Sequence, residues 1–163
     1  MTAERPNLLR AWWPAALWIG IITFESTDYM SAQNTSSLLY NLLTRLFGPI
    51  NIYDFMYWHH YLRKAGHVVG YGMLALLFWR AFRATLSDRV PWLARPAMLA
   101  WLGTAFVASM DEWHQSYIPS RGASVWDVLL DSAAGLTALV VLLLLFRQRP
   151  SAAVDASTRE SAI

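Results

Sequence analysis

The chain has 163 residues, of which 56% are hydrophobic and only 15% charged, and its formal net charge is +2. An ordinary soluble domain carries about 25% charged residues, so this chain, which we expect to form one domain, has too few charges for a surface that faces water everywhere. The small, dispersed positive charge excludes a nucleic-acid interface. The absence of cysteine excludes disulfides, thiolate metal sites and a cysteine nucleophile.

Four apolar stretches predict four membrane-spanning helices: residues 8–24, 65–79, 96–110 and 132–146. A spanning helix needs about 20 residues, within a range of about 17 to 25. Each stretch is slightly short, so each span has to include polar residues at one end. We therefore predict an all-α, four-helix membrane bundle over residues 1–149, with a disordered tail over 150–163 and with spans at about 8–26, 64–82, 96–114 and 125–146.

Arginines are concentrated at three places that alternate with the predicted spans. They precede the first span, surround the link between the second and third, and follow the fourth: Arg5 and Arg10, then Arg80, Arg83, Arg89 and Arg95, then Arg147 and Arg149. Basic residues accumulate on the cytoplasmic side of a membrane. We therefore expect both termini in the cytoplasm, with the 26–64 loop and the link between the third and fourth spans outside.

The outer loop predicts an amphipathic helix. Its apolar and polar residues separate onto two faces at helical spacing: Leu38, Leu39, Leu42, Leu43, Leu46 and Phe47 on one, and Tyr40, Asn41, Thr44 and Arg45 on the other. Asn34 or Ser36 is expected to cap its start, and Gly48-Pro49 to end it. Such a helix would lie on the membrane surface. The following residues, 53–61, are rich in Tyr, Trp and His, which favours an aromatic loop at the interface.

Polar side chains are predicted at the outer end of every span. They are Glu25 on the first, Lys64, His67 and Tyr71 on the second, Asp111, Glu112 and Gln115 on the third, and Asp127 and Asp131 on the fourth, with Arg121 in the link before it. Spacings of three or four residues place members of a set on one helix face. Ionisable groups at membrane depth indicate a functional site.

Asp131 is predicted to lie deepest among these residues. At 1.5 Å per residue it is roughly 22 Å from Phe146, which is inside a hydrocarbon core about 30 Å thick. We therefore expect Asp131 to face the interior of the bundle. Gly135, one turn deeper on the same face, is expected to allow a neighbouring helix to approach closely.

These polar motifs resemble the VanZ-like family. The resemblance covers about residues 15–145 and depends on Lys64-x-x-His67-x-x-x-Tyr71, Asp111-Glu112-x-x-Gln115, Arg121, Asp127 and the outer-loop stretch Asn34-Thr35-Ser36. Asp131 occupies a position where the family usually has asparagine. The resemblance implies an integral protein of the bacterial cytoplasmic membrane with an outward-facing polar site. It also implies a link to resistance towards lipid-tailed glycopeptide antibiotics such as teicoplanin.

Three functions remain open from the sequence. The leading one is binding or handling of an amphiphilic envelope molecule, a membrane lipid or lipid-linked precursor, by the polar residues at the outer ends. The second is an enzyme acting on a phosphate- or ester-bearing lipid, because carboxylates held close together leave a proton donor beside an acceptor. Its candidate catalytic residues are Lys64, His67, Glu112, Asp127 and Asp131.

The third function is structural, with charges that pair only to hold the bundle together. A metal site is disfavoured because the chain has no His-Glu-x-x-His or similar signature. We therefore predict no metal and no cofactor.

Overall fold

A computed structural model describes residues 7–86 and 94–147, and these form an all-α fold without strands. The helices are α1 (Leu8–Glu25), α2 (Ala32–Phe47), α3 (Ile52–Leu86), α4 (Ala94–Gln115) and α5 (Val125–Arg147), with a short 3₁₀ turn over Asp28–Met30. The all-α prediction is confirmed. Arg5, Arg89, Arg149 and the predicted tail lie outside the described residues.

Helix α3 is the central element, because it packs against α1, α4 and α5, while α4 also packs against α5. Side-chain contacts show the relative directions of the helices. Between α1 and α3, Trp12 contacts Thr85 and Trp18 contacts Gly70, so these two helices are antiparallel. Between α3 and α5, Lys64 contacts Asp127 and Trp79 contacts Phe146, so these two are parallel, and Tyr71 of α3 contacts Asp111 near the end of α4. Successive helices of this set therefore alternate in direction. The outer ends predicted for the four spans meet at one end of the bundle.

Small residues bring the central helices together. A Cβ atom on Gly135 of α5 would lie 3.0 Å from Thr104 Cγ2 on α4 and 3.3 Å from Ala75 Cβ on α3. Thr104 and Ala75 are fully buried. The close approach predicted at Gly135 is confirmed, and dispersion contacts across this tight interface hold α3, α4 and α5 together.

The helix predicted in the outer loop is present as α2, but it begins earlier than expected. Its N-cap is Ser31, whose side chain accepts from the Asn34 amide, so the expected cap at Asn34 or Ser36 is wrong. The added turn includes polar residues that the apolar pattern did not register. The predicted stop is confirmed, because Gly48 ends the helix with a φ of 86° that suits glycine.

The aromatic segment 53–61 is helical, although an interfacial loop was predicted. It forms the first turns of α3, which runs without interruption from Ile52. Phe55 and His59 are buried and stack on each other, and Tyr40 of α2 packs edge-on against Phe55. Since Lys64 already lies level with the start of α5, the earlier residues of α3 project beyond the bundle and support α2.

Two helices have the length and hydropathy of a membrane span: α3 and residues Val125–Phe146 of α5. Helices α1 and α4 are not identified in this way. Helix α1 has only 18 residues and includes the charged Arg10 and Glu25 near its two ends, and charged residues lower the mean hydropathy of a helix of this length. Its tryptophan, glycine and proline residues are all common in membrane proteins.

Candidate functional site

Two side-chain pairs join α3 to α5 at the polar end of the bundle. Lys64 forms an ion pair with Asp127. One turn deeper, His67 Nδ1 lies 3.1 Å from Asp131 Oδ2. Asp131 is fully buried, as predicted, and its second oxygen has no hydrogen-bond partner among the described residues. The two pairs differ in solvent contact, since the Lys64 and Asp127 side chains are 34% and 20% exposed.

The two acids at the end of α4 have different neighbours. Asp111 Oδ2 accepts hydrogen bonds from the Tyr71 hydroxyl at 3.1 Å and from Gln115 Nε2 at 2.9 Å. Glu112 is buried, and its Oε2 accepts from the Ser124 amide at 2.7 Å. Glu112 therefore holds the loop that leads into α5. Asp111 is bonded to neutral donors and has no cation at ion-pair distance in the described residues.

Arg121 connects the loop between α4 and α5 to the end of α1. Its Nη2 donates to the carbonyl oxygens of Glu25 and Thr27, the latter at 2.9 Å. These carbonyls lie at and just beyond the last turn of α1, where the helix has no further backbone N–H groups to donate to them. Burial, followed by the nearby charge of Arg63, lowers the pKa of the Arg121 guanidinium, which nevertheless stays protonated as arginines do in proteins.

A cavity of about 620 Å³, here called the large cavity, opens between α1, α2, α3 and the end of α4. One part of its wall is apolar, with Ile22, Met30, Leu38, Leu39 and Leu62, and another is polar, with His67, Tyr71, Asp111, Gln115 and Arg121. Gly66 and Gly70 of α3 also line it, and a Cβ atom on either would meet nothing within 4 Å. The missing side chains thus leave room in the large cavity.

A second cavity of about 170 Å³, here called the small cavity, adjoins the first. Its wall includes Lys64, Asp127, Arg63 and Ser120. Four residues line both cavities: Arg63, His67, Gln115 and Arg121. The two spaces are therefore separated only by side chains that they share.

The structure places all the predicted site residues at one end of the bundle. Glu25, His67, Tyr71, Asp111, Gln115 and Arg121 line the large cavity, and Lys64 and Asp127 line the small one. Glu112 and Asp131 line neither, and contact the site through Ser124 and His67. The hydroxyl of Thr35 and the amide-bearing Asn34, from the outer-loop stretch, also reach the large cavity.

Arg63 and His59 also line the large cavity, although they were not among the predicted site residues. Both lie at four-residue spacing with His67, which places all three on one face of α3. The signal was hidden because residues 53–61 were interpreted as a loop. Within residues 7–86 and 94–147, no group of three or more His, Asp or Glu side chains is placed to hold a metal ion.

Two span-length apolar helices and polar groups gathered at one end of the bundle are features of a membrane protein, and the family of the chain supports that class. The chain belongs to the VanZ/LLP1 family, whose sequence model matches residues 11–147, and this family is associated with teicoplanin resistance. Neither the curated proteins nor the solved structures include a match to the chain.

Proposed function

We propose that the chain is a four-span protein of the bacterial cytoplasmic membrane, with its polar end facing outward and both termini inside. Large apolar side chains are exposed along α1, α4 and α5: Leu17, Ile21 and Phe24, then Met98, Leu102 and Phe106, and then Leu136, Val140 and Leu144. Apolar surface of this extent is costly in water and is stable against lipid. The arginines at the opposite end support the orientation.

The proposed function is binding or handling of an amphiphilic envelope molecule, a lipid or a lipid-linked precursor, at the outer leaflet. The large cavity carries this proposal, because an apolar wall and a wall of convergent polar groups meet in one space of about 620 Å³. This is within the size range of pockets that hold drug-sized ligands. Leu38 and Leu39 of α2 would contact the apolar part of the ligand, and Asp111 and Arg121 its polar part.

Helix α2 supports a location at the membrane surface. Leu38, Leu42, Leu46 and Phe47 are exposed along one face, and Arg45 and Asn41 are polar residues of the same helix. An amphipathic helix of this kind inserts its apolar face at the boundary between headgroups and acyl chains. The large cavity would then lie beside the outer leaflet, where a lipid-tailed glycopeptide could also reach it. Protection against teicoplanin-type antibiotics would follow from binding the drug or the precursor it recognises.

Filling the large cavity tests the proposal. We expect the double variant Gly66→Leu/Gly70→Leu to fold and to lose envelope lipid that the unmodified chain retains in native mass spectrometry, because leucines would occupy the space of the ligand. Gly20→Leu is the matched control, since Gly20 also has nothing within 4 Å of a Cβ atom but does not line the large cavity. Equal lipid retention by all three proteins would exclude the large cavity as the binding site.

A lipid-directed enzyme is the second candidate, and the pair of His67 and Asp131 favours it. His67 lines both cavities while a buried carboxylate holds its Nδ1, which is the arrangement of a base and its orienting group. Nε2 of His67 has no hydrogen bond to any described residue and would be the atom that takes a proton. His67→Gln should then abolish turnover of a radiolabelled phospholipid and preserve its binding, and absence of turnover by the unmodified chain would exclude this function.

A further inference from the structure

The basic residues that line the small cavity outnumber its acidic ones. Arg63, Lys64 and Arg121 are three of its ten lining residues, and Asp127 is the one acidic residue among those described. Asp127 is already paired with Lys64. The remaining positive charge of the small cavity therefore belongs to the two arginines.

Neither arginine is paired with a carboxylate. Arg63 Nη1 donates to the carbonyl oxygen of Met30 at 2.9 Å, and Arg121 donates to two backbone carbonyls. The ion pairs of the described residues involve only Lys64 and His67 as cations. Arg121 Nε is buried and has no hydrogen-bond partner in the described part of the chain, although an unsatisfied buried donor is costly.

The other acids of the polar end lie outside the lining of the small cavity, although the charge of Glu25 acts on Arg63, and the charges of Asp111, Glu112 and Asp28 act on Arg121. Asp111, Glu112 and Asp131 do not line it. Glu112 is turned to the Ser124 amide, and Asp131 lies behind His67. The excess of acids that the sequence suggested is therefore distributed around the small cavity, and the space itself is left to the guanidinium groups.

From these observations we propose that the small cavity binds a phosphate group, with Arg63 and Arg121 as its charged donors. Guanidinium groups bind phosphate through charge-assisted hydrogen bonds, and often through two at once. Because Arg63, His67, Gln115 and Arg121 line both cavities, one molecule can extend through both. This inference depends on the proposed function, and it specifies the amphiphile as one that carries a phosphate.

The first test compares three probes on the unmodified full-length chain in detergent by calorimetry. The probes are dihexanoyl phosphatidic acid, dihexanoylglycerol, which has the same chains without phosphate, and inorganic phosphate. We expect phosphatidic acid to bind at least about 10-fold more tightly than either of the others, a difference typical of one charge-assisted contact. No variant is needed for this comparison, so it does not depend on the folding of a mutant.

The second test identifies the residues. Arg63→Gln should weaken phosphatidic acid binding by roughly 10-fold or more and weaken dihexanoylglycerol binding much less, because this lipid has no phosphate for the guanidinium to bind. Arg45→Gln is the matched control, because Arg45 is an exposed arginine of α2 that lines neither cavity, and it should leave both affinities unchanged. Arg63→Lys, which keeps the charge but loses the planar fork, should lie between them.

The outcomes separate the two proposals. If dihexanoylglycerol binds as tightly as phosphatidic acid, the phosphate site is overturned and the amphiphile-binding function stands. If inorganic phosphate binds in an Arg63-dependent manner and neither lipid does, the phosphate site stands and the amphiphile-binding function is overturned. If no probe binds, both are overturned.

Discussion

The two sides of α3 are built differently from similar residues. Towards α4 and α5, the helix is packed tightly: a Cβ atom on Gly135 of α5 would lie 3.3 Å from Ala75 Cβ on α3 and 3.0 Å from Thr104 Cγ2 on α4. Towards α1 and α2, Gly66 and Gly70 look onto open space and line the large cavity. Glycine allows close helix packing on one side and leaves open space on the other.

This difference shows how a structural network and a binding site can share one helix. Asp131 and Glu112 are buried on the packed side, where their partners leave little solvent contact. Asp111 and Arg121 reach the large cavity on the open side. A polar residue at the outer end of a span therefore does not necessarily line the large cavity. Whether it does depends on the side of α3 on which it lies.

The largest expected effect comes from the pair of His67 and Asp131, in which the Asp131 side chain is 1% exposed and the His67 side chain 24%. His67→Leu would leave the Asp131 carboxylate buried without a partner, and we expect the free energy of unfolding in detergent to fall by about 3–5 kcal/mol. The double variant His67→Leu/Asp131→Leu removes both polar groups and should recover much of the loss. A small effect of His67→Leu, below about 1 kcal/mol, would show that Asp131 is solvated and that this side is not sealed.

The next effect contrasts one glycine from each side. Gly135→Leu should lower the free energy of unfolding by about 1–3 kcal/mol or more through overpacking, because its first added carbon already meets Thr104 at 3.0 Å. Gly70→Leu should change the stability by less than about 1 kcal/mol, since glycine is itself a poor helix former. Equal losses at the two positions, measured by denaturant titration, would contradict the difference between the sides.

The shared helix faces and the buried position of Asp131 could be predicted from the sequence, because periodicity carries the information. The three- and four-residue spacings of Lys64, His67 and Tyr71 predicted that they share one helix face. The depth of Asp131 in the membrane predicted that it faces the interior of the bundle. The structure confirms that Asp131 and Gly135 face the interior. The helical pattern can be read directly from the sequence, and the thickness of the bilayer is known independently of it.

The open side could not be predicted in the same way, because a cavity is a property of several elements that fail to fill a space. The depth of Gly135 below Asp131 predicted that it is packed, but nothing in the sequence indicates that Gly66 lines a cavity. Arg63 was missed for a more local reason: its helix begins at Ile52 instead of near Lys64. Tyr and Trp suit both an interfacial loop and a helix surface, so composition did not decide between them.

A smaller effect sharpens the open side as a ligand site. At a ligand concentration ten times the dissociation constant, binding should stabilise the unmodified chain by about 1.4 kcal/mol. With short-chain phosphatidic acid as the ligand, Gly66→Leu/Gly70→Leu should lose this stabilisation. The folded fraction of Gly135→Leu should still be stabilised by the lipid. Thermal denaturation with and without lipid measures both. Stabilisation that survives the double variant would place the ligand elsewhere.

The smallest effect on stability is expected at the pair of Lys64 and Asp127, whose side chains are partly exposed. Lys64→Met and Asp127→Asn should each change the free energy of unfolding by about 1 kcal/mol or less, whereas breaking a fully buried pair would cost several times more. Their effects on phosphate binding should have opposite signs. Lys64→Met leaves an unpaired carboxylate in the small cavity and should weaken phosphatidic acid binding, and Asp127→Asn releases a lysine and should strengthen it. Calorimetry on both variants decides, because loss of binding through misfolding would have the same sign in each.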